Sequence, residues 1–334
     1  MNPLKQSIRI KNVDISNRIV MPPMATAKSE NGYVNQSLLD YYDEKTKGGY
    51  IGLVITEHAY VSLDGKAKEG QLSVSRDEDI EGLKKVVDTI HKNGSKVIAQ
   101  INHAGSSTDK KVTGFDPISA SPIKNIGATG NPNIIPHEMT KSDIKRVIQS
   151  FVESARRVKE AGFDGVEIHS AHAYLLNQFF SPLTNKRTDE YGTTLDGRVR
   201  IHLEIVREIR KVVGKDYIIA LRLGACDYME GGSSLADGIA AAEALEKAGV
   251  DLLDISGGLC GIMNPNNREA GYFSELSESI KRKISIPVIL TGGVTDGQQV
   301  EKLLSEKKAD FIGVGRELLK DSNWAKKVIS SLES

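Results

Sequence analysis

Three side chains able to donate a proton or a hydrogen bond, His169, His172 and Tyr174, fall within six residues of one another. They lie in the stretch DGVEIHSAHAYLLNQFFSPLTNKRTDEY, Asp164 to Tyr191, just after the apolar run Gly165 to Ile168. That run has the length of a short buried strand and would deliver His169 to its end. In a parallel α/β protein such a strand end faces the ligand crevice. Two imidazole N–H groups could grip one carbonyl oxygen there, with a phenol close by as an acid. Each residue also has an ordinary use: a lone loop histidine caps or sits at the surface, and a lone tyrosine packs on a core edge. Their joint position after one strand favours the chemical use.

Short apolar runs alternating with helical patterns would position this cluster. The strand candidates are Arg18–Met24, Ile51–Thr56, Lys96–Ile101, Asp164–His169, Tyr217–Leu223, Val250–Ser256, Ile286–Leu290 and Asp310–Val314. Several are apolar at consecutive positions, as expected of parallel strands covered on both faces. Between them lie amphipathic stretches, Ile80–Asn93, Ser142–Ala161, Arg198–Val213, Leu235–Ala248 and Gln298–Lys307. Four of these run into Gly94, Gly162, Gly214 and Gly249, which suit a left-handed C-cap, and Thr140 with Ser142 and Asp143 suits an N-cap. The pattern predicts an α/β chain, a (β/α)8 TIM barrel in one domain over 1–334. A doubly wound open sheet would need a glycine-rich turn after its first strand, and MPPMATAKSENG is not one.

Ahead of the first strand, Ile8, Ile10, Val13 and Ile15 bracket Lys11-Asn12, so an N-terminal β-hairpin capping the barrel's lower mouth is expected. Ser106–Pro136, rich in Gly, Pro, Asn and Ser, is too long for an ordinary connection. It is expected to run over the catalytic mouth, with a mobile lid as the alternative.

Other strand ends carry the rest of a site. The first ends at Ala25-Thr26, the third in Gln100 with Asn102 and His103 behind, and the fifth carries Arg222. The seventh ends in Thr291-Gly292-Gly293 and the eighth in Gly313-Val314-Gly315-Arg316. Glycines after the last two strands are where barrels hold a phosphate on backbone N–H groups, and Arg316 could add a charge. Gln100 and Arg222 would give a polar floor. The glycines could instead only make tight turns, and Arg222 could be a structural ion pair with Glu167 or Asp254.

Composition narrows the partners. Lys and Arg number 44 against 44 for Asp and Glu, which recommends neither nucleic acid nor an anionic membrane. No run approaches the roughly 20 apolar residues that span a bilayer, and the N-terminus lacks a signal-peptide core. Cys226 and Cys260 have no partner spacing for a disulfide framework or a cysteine-ligated cluster. A soluble cytoplasmic protein acting on small molecules is expected, with a homo-oligomer left open.

From Pro3 to Ile329 the chain resembles the Old Yellow Enzyme family of FMN-dependent ene-reductases. The matching motifs are NRIVMPPM (Asn17–Met24), GGYIGLVITE (Gly48–Glu57), QINHAG (Gln100–Gly105) and IHSAHAYLLNQFFSPLTNKRTDEYG (Ile168–Gly192). LTGGVTD (Leu290–Asp296) and IGVGRELLKDSNW (Ile312–Trp324) follow in the family's order. The resemblance implies FMN as cofactor and NADH or NADPH as reductant, used in turn in one pocket with ping-pong kinetics. It places the turn Pro23, Met24 and Ala25 against the flavin, Gln100 on its pyrimidine edge and Arg222 by N1 and C2=O. Gly292, Gly293, Gly315 and Arg316 would hold the FMN phosphate. His169 and His172 would bind the carbonyl oxygen of an α,β-unsaturated substrate, flavin N5 would give hydride to the β-carbon, and Tyr174 would protonate the α-carbon.

Two departures stand out. Many members place Thr or Cys where this chain has Ala25, so a hydrogen bond to flavin O4 is missing and a different flavin potential is expected. The Ala-then-Thr pattern is similar to the barrel of 2,4-dienoyl-CoA reductase, which adds an iron–sulfur cluster and a second nucleotide-binding domain. This chain ends at Ser334 with neither, so electrons are expected to reach FMN directly. It also lacks an arginine-bearing tail that would enter a neighbour's site. The alternatives are a flavin barrel of other chemistry (NADH oxidase, amine dehydrogenase or demethylase-like) or a non-catalytic binding barrel. A metal-dependent barrel lyase would need His169, His172 and Glu167 as ligands.

Overall fold

Pairing of the Val-, Ile- and Leu-rich runs in chain order gives the architecture. The computed structural model describes residues 2–331. The barrel strands are β1 (Ile19–Met21), β2 (Leu53–Ile55), β3 (Lys96–Asn102), β4 (Gly165–Ser170), β5 (Ile218–Gly224), β6 (Leu252–Ser256), β7 (Val288–Thr291) and β8 (Phe311–Gly313). All pair in parallel with their chain neighbours, and β8 pairs with β1 to close a (β/α)8 barrel. β1 stops at Met21 rather than Met24, because Pro22 and Pro23 have no N–H to give the ladder.

The expected helices form as Ile80–Lys92, Lys141–Glu160, Leu195–Val213, Leu235–Ala248 and Gly297–Ser305. The Thr140 and Asp143 side chains close a capping box at the start of the longest. Gly249 ends another at φ +113°, a conformation that suits glycine. Gln36–Thr46 and Ser274–Lys281 are helices that the periodicity did not single out. In the first, Leu38, Leu39, Tyr41 and Tyr42 crowd into one turn and a half instead of forming a long stripe. No helix among the described residues is long and apolar enough to cross a membrane.

The hairpin Ile8–Ile10 and Val13–Ile15 turns at Lys11-Asn12, with Lys11 at φ +51°. Its Ile10 and Ile15 pack onto Val20, Leu53, Ile98, Ile218, Leu252, Ile289 and Phe311, the lower filling of the barrel. Burying the two isoleucines stabilises this closure by about 4 kcal/mol.

Strand side chains alternate, so the inward set rises two residues at a time. Above Ile98 come Gln100 and Asn102; above Gly165 come Glu167 and His169. Above Ile218 come Ala220 and Arg222; above Leu252 come Asp254 and Ser256. An apolar floor thus gives way to a charged layer and then to a rim of hydrogen-bonding groups.

Ser106–Pro136 is tethered over that rim. Asn125 Nδ2 donates to the Ser106 and Thr129 carbonyls at 3.2 and 2.9 Å, and Ala128 N–H donates to the Leu259 carbonyl at 2.9 Å. This is the excursion over the mouth.

Candidate active site

The chain after β4 turns sharply. His172 and Ala173 hold φ of +57° and +62°, left-handed values that cost non-glycine residues about 1–3 kcal/mol each. The surroundings compensate. Ala173 N–H donates to Asn177 Oδ1 (2.8 Å), Ser107 Oγ donates to the Ala173 carbonyl (2.7 Å), and Thr129 Oγ1 donates to the His172 carbonyl (2.6 Å). Tyr174 then occupies the N-cap of the short helix Leu175–Phe180.

This turn stacks the three reactive rings. His169 stands edge-on to His172 at 5.2 Å between centroids and edge-on to Tyr174 at 5.0 Å. His172 Nε2 shares a 2.7 Å hydrogen bond with Ser256 Oγ. Burial, and secondarily Arg222 and the neighbouring histidines, holds both imidazoles well below their usual pKa, so they are neutral donors at pH 7. Burial pushes the Tyr174 phenol up to about 12, so it keeps its proton.

Beneath the rings lies the charged layer. Gln100 Nε2 donates to Glu167 Oε1 at 2.7 Å, and Arg222 Nε stands 3.1 Å from Asp254 Oδ2 without hydrogen-bond alignment. Glu167 and Asp254 are fully buried, and desolvation raises both carboxyl pKa values against the pull of Arg222. Arg222 therefore does have Asp254 as an ion-pair partner, and it lines the cavity as well. Glu167, the carboxylate a metal site would have used, is turned to Gln100. No group of three or more His, Cys, Asp or Glu among the described residues could hold a metal ion.

The opposite wall is backbone and turn. Cβ atoms added to Gly292 or Gly293 would meet the Tyr272 ring at 2.8 and 2.9 Å, so Tyr272 packs against one side of this turn. A Cβ on Gly313 would lie 1.9 Å from Thr291 Oγ1, so only glycine fits beside that hydroxyl. Ala25 is exposed toward the cavity, whereas Thr26 Oγ1 is committed to Glu57 Oε1 at 2.6 Å.

Pro23, Met24, Ala25, Gln100, His169, His172, Tyr174, Arg222, Gly292, Gly293, Gly315 and Arg316 all line one cavity of about 340 Å³. His58, Thr129, Ser256, Tyr272 and Thr291 line it too and were not singled out as site residues from the sequence. His58 and Ser256 follow or end strands β2 and β6, the two strand ends passed over, so the same reasoning would have found them. Thr129 and Tyr272 arrive on long loops that no periodicity places.

The cavity fits a flavin mononucleotide. Its size is in the range of cofactor sites. Along its lining His169 Nδ1, Arg222 Nε and Thr291 Oγ1 are buried without hydrogen-bond partners, where native proteins leave few such atoms. These unpaired groups with Gln100 suit a planar polar ring, and the backbone N–H groups of the glycine turns suit a phosphate.

Comparison with known proteins agrees. Residues 3–334 match the NADH:flavin oxidoreductase / NADH oxidase family. The NADH oxidase of Thermoanaerobacter brockii is 41% identical over 96% of this chain, which spans about half (49%) of that longer protein. The NADPH dehydrogenase of Clostridium acetobutylicum is 36% identical over 95% of this chain and 91% of its own length. A 2-naphthoyl-CoA reductase complex superposes with a TM-score of 0.91 at 28% identity, over 99% of this chain and 52% of the other. The chain belongs to the NADH:flavin oxidoreductase / NADH oxidase family, the Old Yellow Enzyme family, which uses FMN with NADH or NADPH. The chain's last residues, 332–334, on which the absence of an arginine-bearing tail partly rests, lie outside the described residues.

Proposed function

We propose that the protein uses NADH or NADPH to reduce the C=C bond of α,β-unsaturated carbonyl compounds. What bound FMN contributes is hydride donation from its N5 to the β-carbon. Gln100 and Arg222 would hold the pyrimidine, the turn Pro23-Met24-Ala25 would flank the ring, and Gly292, Gly293, Gly315 and Arg316 would take the phosphate. Arg222 puts positive charge where the reduced ring gathers negative charge. His169 and His172, neutral N–H donors, bind the carbonyl oxygen and draw electrons from the alkene. Tyr174, protonated at neutral pH, gives its proton to the α-carbon.

The observation carrying this reading is the stack of His169 against both His172 and Tyr174, above a Gln100–Arg222 floor in one cavity. A flavin site alone would need the floor but not the stack. Titration of the flavin-loaded protein with a para-substituted phenol tests it. A broad long-wavelength charge-transfer band is the expected result, from a phenolate held over FMN by the two histidines. Its weakening in His172→Ala, with flavin content unchanged, ties the band to that residue. Flavin bands without any phenol response would move the reading to electron transfer to oxygen, the activity in the name of the Thermoanaerobacter relative.

A further inference from the structure

His58 stands just past β2 and joins the ring cluster, 5.3 Å from Tyr174 and 6.1 Å from His169 between centroids. A chain of hydrogen bonds from outside the cavity decides where its proton sits. Ala67 N–H donates to Gln71 Oε1 at 2.6 Å, which orients the amide. Gln71 Nε2 then donates to the His58 carbonyl at 3.1 Å and to His58 Nδ1 at 2.8 Å, with Asn102 Nδ2 3.4 Å from the same nitrogen. A ring nitrogen that accepts carries no proton, so the neutral imidazole is protonated on Nε2. Burial keeps it neutral, with its pKa down to about 4. With Nδ1 held by Gln71, Nε2 is the nitrogen left for the cavity, which the buried residue lines with 8% of its surface exposed.

We propose that His58 is a specificity-determining residue whose Nε2–H hydrogen-bonds an acceptor oxygen on the α-carbon side of the substrate. The inference rests on the ene-reductase reading above. His169 lies between His172 and His58, at 5.2 and 6.1 Å, and Tyr174 touches both His169 and His58. With the carbonyl oxygen at His169 and His172 and the α-carbon under Tyr174, a substituent on that carbon comes against His58. A buried N–H facing hydrocarbon loses its water and gains nothing, whereas one facing oxygen is satisfied. The favoured class is therefore an unsaturated carbonyl bearing an alkoxy, acyl or carboxyl oxygen on its α-carbon.

Two inert phenols of nearly equal size test this in the flavin-loaded enzyme. 2-Methoxyphenol carries an oxygen on the ring carbon beside the hydroxyl-bearing one, and 2-ethylphenol carries a CH2 there. The charge-transfer band is expected to report about fivefold tighter binding of 2-methoxyphenol. His58→Phe is expected to erase the preference. Equal wild-type affinities, or a preference that survives in His58→Phe, would overturn the proposal. The 15N spectrum of histidine-labelled wild-type protein needs no variant to fold: a proton on Nε2 supports the inference and a proton on Nδ1 overturns it. Flavin bands with no charge-transfer band for either phenol would overturn the parent reading, and this inference with it.

Discussion

His172 Nε2 and Ser256 Oγ, 2.7 Å apart, join the turn after β4 to the end of β6. The serine holds the imidazole of a residue whose backbone is left-handed, so the ring's aim depends on a neighbour two strands away.

Ser256→Ala is expected to weaken para-substituted phenol binding about fivefold, with flavin content unchanged. Because the serine acts through the ring, adding it to His172→Ala should cost little more than His172→Ala alone. Spectroscopic titration of the four proteins decides the matter. Additive losses would show that Ser256 contacts the ligand by itself.

Tyr174→Phe removes the proposed proton donor and keeps an aromatic ring in the cluster. Stopped-flow traces should show reoxidation by an enone slowed about 100-fold or more, with reduction by NAD(P)H within about twofold of wild type. Equal slowing of both half-reactions would remove Tyr174 from the role of acid.

If Ala25 flanks the flavin as proposed, it offers no hydroxyl there, and the Thr26 hydroxyl is already bound to Glu57. Ala25→Thr should raise the two-electron midpoint potential by about 30–60 mV, one hydrogen bond to charge gathered on the reduced ring. A redox titration showing no change would place the added hydroxyl away from the flavin.

His202 lies behind the site, its Nε2 2.8 Å from Ser170 Oγ, and burial lowers its pKa to about 4. The unfolded chain binds that proton near pH 6.5, so this histidine's contribution is complete above pH 6.5 and falls away as pH drops toward 4. Between pH 7 and pH 5 the wild type should lose about 2 kcal/mol more stability than His202→Gln. Denaturant unfolding at the two pH values measures it, and parallel losses would refute the assignment.

The barrel was readable because each strand is a run of Val, Ile and Leu covered on both faces, and because glycines punctuate the helices. The His169, His172 and Tyr174 cluster was visible because a single strand end carries it. The strap through Thr129 and the Tyr272 wall were not, since their positions depend on contacts such as Thr129 with the His172 carbonyl across 43 residues. Nor could the sequence say that Arg222 serves both as partner of Asp254 and as cavity lining. Register along β5 and β6 decides that, by setting Arg222 beside Asp254.

Ile10 and Ile15 stopper the lower end of the barrel, packed against the apolar floor above them. On the proposed function, the nicotinamide and the enone must enter and leave by the same door. Crowding by either visitor then shuts out the other, so each should act as a competitive inhibitor against its counterpart at high concentration. Traffic through a single entrance would limit the enzyme as firmly as any group inside it.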